Sequence, residues 1–194
     1  MKIAVGGPPG AGKTTVSFLL SEWLNMPVCS LDNYRQKLYP KWGYSEEMAE
    51  SIFQREGALA LHQYESEYEL RALEHTLTLE YSLIIDLSGG VLLQNCAANK
   101  RRLENALTAI DLLIFLLPAQ SRPHKALSIL QDRITIRDKG NGFVQQWLRF
   151  GGTDFLRKMV NVTLDSCKQF AAVCIDTEEP LEETILETLR MYFR

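Results

Sequence analysis

The sequence has no basic excess: 21 Lys and Arg stand against 24 Asp and Glu in 194 residues, a net charge of −3. A protein that lives on nucleic-acid phosphates needs clustered Lys and Arg. The basic runs here are short, such as Lys100-Arg101-Arg102, so nucleic acid is not an expected partner. No stretch approaches the ~18 uninterrupted apolar residues of a membrane span. Before the first glycines stand one lysine and three apolar residues after Met1, too few for a signal-peptide core. A cytoplasmic location is expected. Cys29, Cys96, Cys167 and Cys174 form no C-x-x-C pair and no zinc-like spacing. They are expected as reduced thiols in apolar settings, and the sequon Asn161-Val162-Thr163 is read as carrying no meaning. Internal repeats, linkers and low-complexity tracts are absent as well.

What is there suits one compact domain over residues 1–194, with 46% hydrophobic residues to fill a single core. Apolar runs alternate with helical stretches. Ile3 to Val5 reads as a buried strand before a glycine loop. A helix from about Lys13 to Asn25 is expected to bury Val16, Leu19, Leu20 and Trp23. A second strand runs from Pro27 to Leu31 and ends at Asp32. The stretch 33–80 is helical by pattern, broken by "YPKWGYS" and loosened at Gly57. "YSLIIDLSGG" and "AIDLLIFLLP" supply the third and fourth strands. A helix from about Arg122 follows, then "RDKGNGF" as a flexible loop. Thr153 or Asp154 is a candidate N-cap for the next helix. "FAAVCID" is a fifth strand and "EEPLEETILETLRMYF" a closing helix. Strands this apolar, separated by helices, imply a parallel sheet covered on both faces, with ligands at the strands' carboxyl ends. Asp32, Asp86 and the glycine loop all fall there.

The loop "GGPPGAGKTT" at 6–15 satisfies G-x-x-x-x-G-K-[ST]. Backbone N–H groups from Gly7, Pro8, Pro9, Gly10, Ala11, Gly12, Lys13, Thr14 and Thr15, less the two prolines, are placed to curl round a phosphate chain. Lys13 reaches the β/γ oxygens, Thr14 can ligate Mg²⁺, and the following helix adds its positive end. The motif calls for a nucleoside triphosphate. "NKRR" at 99–102 has Arg102 where guanine reading needs an aspartate. "LSGGV" at 87–91 ends a strand instead of opening a helix, unlike the transporter signature it superficially matches. The chain is too short for an AAA+ module with its helical lid domain. A small kinase remains.

The order of P-loop, Asp32 ending the second strand, Gly89-Gly90 ending the third and an arginine-bearing loop after the fourth resembles the shikimate kinase-like branch of the P-loop kinases. The likeness covers nearly the whole chain. The segments "SLDNYRQKLYPKWGYSEE" and "SLIIDLSGG" are similar to a bacterial subgroup of shikimate kinase-like ATP-binding proteins. The resemblance implies an α/β P-loop NTPase fold, with a five-stranded parallel sheet, helices on both faces and a small lid near 134–152. It implies ATP and Mg²⁺ as cofactors and a small-molecule partner with a hydroxyl acceptor, bound by a monomer or dimer.

Lys13, Asp32 and Arg133 would be the catalytic residues, with Arg137 the nearest rival to Arg133. Asp32, Arg55, Gly89 and Gly90 would meet the acceptor, and Thr14 and Asp86 the metal. The family's Asp-x-Asp reads Ser30-Leu31-Asp32 here, its three glycines read Ser88-Gly89-Gly90, and its late substrate arginine is missing from "MVNVTLDSCKQF". Shikimate is therefore not the implied substrate. His62 and His75 read as surface or half-buried histidines, and Tyr64 with Tyr68 as a helix face or a wall of the substrate cleft. Three activities stay open: transfer to a metabolite hydroxyl, a switch or degenerate kinase that binds ATP without transfer, and a plain NTPase.

Overall fold

The computed structural model of the protein describes residues 1–170 and 172–178. The expected closing helix lies outside them. Five strands form one parallel sheet: β1 (Lys2–Gly6), β2 (Val28–Ser30), β3 (Leu83–Asp86), β4 (Leu112–Leu117) and β5 (Val173–Asp176). Their spatial order is β2-β3-β1-β4-β5, all neighbours parallel. Alternating strand residues feed two cores. Ala4, Ile85, Leu113 and Phe115 face one; Ile3, Val5, Ile84, Ile114 and Leu116 face the other.

Helix α1 (Lys13–Leu24) packs on the second core through Val16 and Leu20. Leu24 continues that stripe, whereas Trp23, expected in the core, is 42% exposed. Leu19, also expected in the core, is half-buried, so α1 presents a narrower stripe to the sheet than the spacing predicts. After β2 the chain turns tightly through Leu31–Asn33 instead of extending to Leu31 as a strand. It then builds α2 (Tyr34–Lys37), α3 (Glu46–Glu56) and α4 (Ala58–Leu77) before entering β3. Ser45 caps α3 by accepting the Met48 N–H, and Gly57 separates α3 from α4. Helix α5 (Ala97–Thr108) precedes β4, and α6 (Pro123–Arg137) follows it with proline in its first turn.

The glycine-rich loop is shorter than expected, because α7 (Gly142–Trp147) begins within it, capped by the Asn141 side chain. Neither Thr153 nor Asp154 caps α8 (Thr153–Gln169). The chain enters that helix through a kink at Phe150 and Gly151, and the Thr153 hydroxyl donates to the Leu148 carbonyl at 3.2 Å. Phe143 and Phe150, both in the segment expected as the lid, pack against Phe53 of α3.

Cys167 and Cys174 are joined in a disulfide, against the expectation of four free thiols. The short connection between α8 and β5 brings their Cα atoms to 6.1 Å, within bridging distance. Cys29 and Cys96 are free. Among the described residues no helix is long and apolar enough to cross a membrane.

Candidate active site

Sheet geometry places the carboxyl ends of β1, β2 and β3 side by side, with Val5 opposite Asp86 and Ser30 opposite Asp86. The phosphate loop leaves β1 here and re-enters as α1. Gly7 has φ +137°, and a Cβ there would run into the Leu116 carbonyl, so only glycine fits. Ala11 N–H donates to the Pro8 carbonyl at 3.2 Å and closes the loop. The Lys13 ammonium donates to the same carbonyl at 3.3 Å, curled back over the loop. Lys13 is buried, which pushes its ammonium pKa down; Asp32 and Asp86 push the other way.

A cleft of about 510 Å³ opens above this loop. It brings together Pro9, Gly10, Gly12, Lys13, Thr14 and Thr15 with Asp32, Gly89, Arg133 and Arg137. Gly7, Pro8 and Ala11 shape the loop without lining the cleft. Arg55 does not line it either: its side chain is 66% exposed and pairs with neighbouring Glu56. Gly90 sits behind Gly89, where a Cβ would meet the His62 ring at 2.7 Å and Glu69 Oε2 at 2.8 Å.

The Thr14 hydroxyl donates to Asp86 Oδ2 at 2.9 Å, and Asp86 Oδ1 is buried without a hydrogen-bond partner. A hydroxyl beside a carboxylate with a spare oxygen suits a hard cation that shares its remaining positions with phosphate and water. Burial raises the Asp86 carboxyl, Lys13 and Thr14 lower it, and nearby Ser30 lowers it further. Asp32 opens onto the cleft. The protein around it raises its carboxyl, against Lys13, Arg35 and Arg137. Arg133 donates to the Thr177 carbonyl, whereas Arg137 acts electrostatically on both Lys13 and Asp32.

A model of the shikimate kinase family matches residues 9–191. The chain belongs to that family. Shikimate kinase from Acinetobacter baumannii, solved in complex with shikimate, is similar with a TM-score of 0.61 and 20% identity, over 98% of this chain and 90% of that one. A gluconokinase from Sinorhizobium meliloti 1021 has a TM-score of 0.54 and 16% identity, over 99% and 95%. Deoxyadenosine kinase from M. mycoides has a TM-score of 0.55 and 16% identity, over 100% and 99%. These likenesses show the five-stranded P-loop kinase fold. No curated protein sequence matches the chain. Family and fold together make it a small-molecule kinase of the P-loop class.

As a member of the shikimate kinase family it departs from the pattern where the structure is most informative. Ser30 stands at the first position of the family's Asp-x-Asp, directly across from Asp86 in the β2–β3 register. A carboxylate is thus present beside that position, supplied by the neighbouring strand. Sequence reasoning missed the side chains behind Gly90. His62, thought to be at the surface or half-buried, is 5% exposed with Nε2 2.7 Å from the Leu93 carbonyl oxygen, and Glu69 is 9% exposed. Glycine at 90 was the available signal, since a missing side chain implies a close neighbour.

Proposed function

We propose that the protein is a Mg²⁺- and ATP-dependent phosphotransferase that passes a γ-phosphate to a hydroxyl of a small metabolite. Its acceptor site would differ from that of shikimate kinase. The observation that carries this reading is the meeting, in one cleft, of a phosphate loop, Asp32, Gly89 and two arginines. A plain NTPase needs no carboxylate and glycine pair facing the phosphate end across a shared space.

In this reading the loop amides and the end of α1 cradle the phosphates. Lys13 and Arg137, with Arg133 at the rim, neutralise charge on the transferring oxygens. Asp32 orients the acceptor hydroxyl and takes its proton, and a raised carboxyl pKa suits that task. Thr14 and Asp86 would hold magnesium, which when bound supplies charge neutralisation at the β and γ oxygens. Gly89 lets the acceptor approach the backbone, and the segment 134–152 would close over the nucleotide.

The test uses γ-labelled ATP, Mg²⁺ and a metabolite extract, comparing the natural protein with Lys13→Ala. Label in a new small molecule, with the natural protein alone, is the expected result. Label found only as free phosphate would leave an NTPase. Label retained on bound ATP would leave a switch.

A further inference from the structure

Both cleft arginines, Arg133 and Arg137, sit on α6, and α6 is gripped from the end of β5. Asp176 Oδ1 accepts the Ala119 N–H at 2.9 Å and Oδ2 the Gln120 N–H at 3.1 Å, in the turn that leads from β4 into α6. Ala119 has φ +48°, a left-handed conformation that alanine rarely adopts, so this turn depends on being held. Glu178 pairs with Arg122 and Lys125 at the start of α6. Thr177 is buried and accepts from Arg133 at both its carbonyl and its hydroxyl oxygen. Three consecutive residues thus clasp α6 from its entry turn to one of its cleft arginines.

The strand that carries this clasp is four residues long and lies at the edge of the described sheet, paired there with β4 alone. It has a covalent attachment as well. Cys174, two residues before Asp176, is bonded to Cys167 near the end of α8. Both cysteines are half-buried, so a small thiol can reach the bridge. Helix α8 itself meets α6, where Gln131 donates to Thr153 Oγ1 at 2.8 Å. The bridge therefore closes a circuit from α6 through α8 to β5 and back to α6. Opening it leaves β5 held by its pairing with β4 and by Val173 and Ile175 in the core. The end that grips α6 then gains freedom.

We propose that the Cys167–Cys174 bridge is a redox-controlled tether that sets how tightly the cleft holds a nucleotide's phosphates. The inference rests on the nucleotide half of the phosphotransferase reading and not on the identity of the acceptor. In the oxidised form Arg133 and Arg137 stand ordered at the cleft. In the reduced form they must be ordered on binding, which weakens it. The chemistry is exchange with a small dithiol. One reductant thiolate attacks a bridge sulfur, the S–S bond breaks, and the other cysteine leaves as a thiolate that takes up a proton. The second reductant thiol then displaces the first cysteine. Two electrons and two protons end on Cys167 and Cys174, and the dithiol becomes a disulfide.

The experiment measures Mg·ADP binding to the full chain by calorimetry, oxidised and after dithiothreitol, with thiols counted by alkylation and mass. Reduction is expected to raise Kd about fivefold or more, the low end of coupling between separate sites, and reoxidation to restore it. A double Cys167→Ser, Cys174→Ser variant should bind as the reduced protein does and ignore dithiothreitol, which excludes Cys29 and Cys96 as the source. Asp176 does not line the cleft, so Asp176→Ala should weaken binding through α6 and leave reduction little to add. Thr177→Val gives the same reading if Asp176→Ala melts below the assay temperature. Oxidised and reduced forms that bind within twofold of each other overturn the tether. Effects of reduction and of the clasp variant that multiply in full overturn it too, as does a loss of binding that only accompanies unfolding of the reduced form. No binding of Mg·ADP in either form overturns the nucleotide reading and this one with it.

Discussion

Replacing Glu69 by glutamine should make the protein more stable in alkaline solution, against the usual expectation for a buried polar substitution. Burial, then Glu65 and Asp32, push the Glu69 carboxyl up to about 8 from an ordinary 4.5. The Ser88 hydroxyl and Arg35 act the other way and are outweighed. Between pH 4.5 and 8 the folded chain holds a proton that the unfolded chain has lost. The contribution of Glu69 is therefore fully present below pH 4.5 and is lost as pH rises through 8. At 1.36 kcal/mol per pH unit the ceiling of that loss is about 5 kcal/mol. Glutamine has the same shape and no charge. Urea unfolding of both proteins from pH 5 to 9 gives the comparison. Asp32, Glu65 and Asp86 are raised in the same sense, so the natural protein alone will slope for several reasons. The difference between the two curves isolates Glu69. It should be within about 1 kcal/mol at pH 5 and favour the variant by several kcal/mol at pH 9. A constant offset across the range would refute the reasoning.

Two further changes probe other parts of the molecule. Asp86→Asn keeps the Thr14 contact but removes the carboxylate charge, so the Mg²⁺ concentration for half-maximal label transfer should rise roughly ten- to hundredfold. Its melting temperature should hold or rise, because Asp86 is costly to ionise where it lies. Reducing the Cys167–Cys174 bridge, which closes a loop of sequence separation 7, should cost about 2–3 kcal/mol on chain-entropy grounds. Melting with and without reductant reads that loss, and a double Cys→Ser variant should melt with the reduced protein.

The phosphate loop was legible because its chemistry is local: ten consecutive residues set backbone, charge and hydroxyl together. The parallel sheet was legible because buried strands are apolar throughout. What could not be read depends on which surfaces meet. Periodicity marks His62, Glu65 and Glu69 as sharing a face of α4 but does not say that the face meets Gly90. Arg55 belongs to α3 and looked suitable by position, yet its side chain turns to solvent. The Cys167–Cys174 bridge depends on a turn whose tightness no spacing rule announces. Arg133 and Arg137 are one helical turn apart, so both could line the cleft, and their partners separate them: Arg133 donates to Thr177, whereas Arg137 pairs with Asp138.

The chain makes a long helical excursion between β2 and β3, two strands that lie side by side. Asp32, Arg35, Tyr39, Glu65 and Glu69 all arise within it, whereas the phosphate loop, Asp86 and the two arginines arise outside. In the proposed reading, the phosphate donor and most of the acceptor's surroundings are specified by separate lengths of polypeptide that meet at the carboxyl ends of β1, β2 and β3. Mutation can rewrite the recipient's half while the nucleotide's half keeps folding and keeps its grip. Inheritance can therefore hand such a protein a new client without rebuilding its engine.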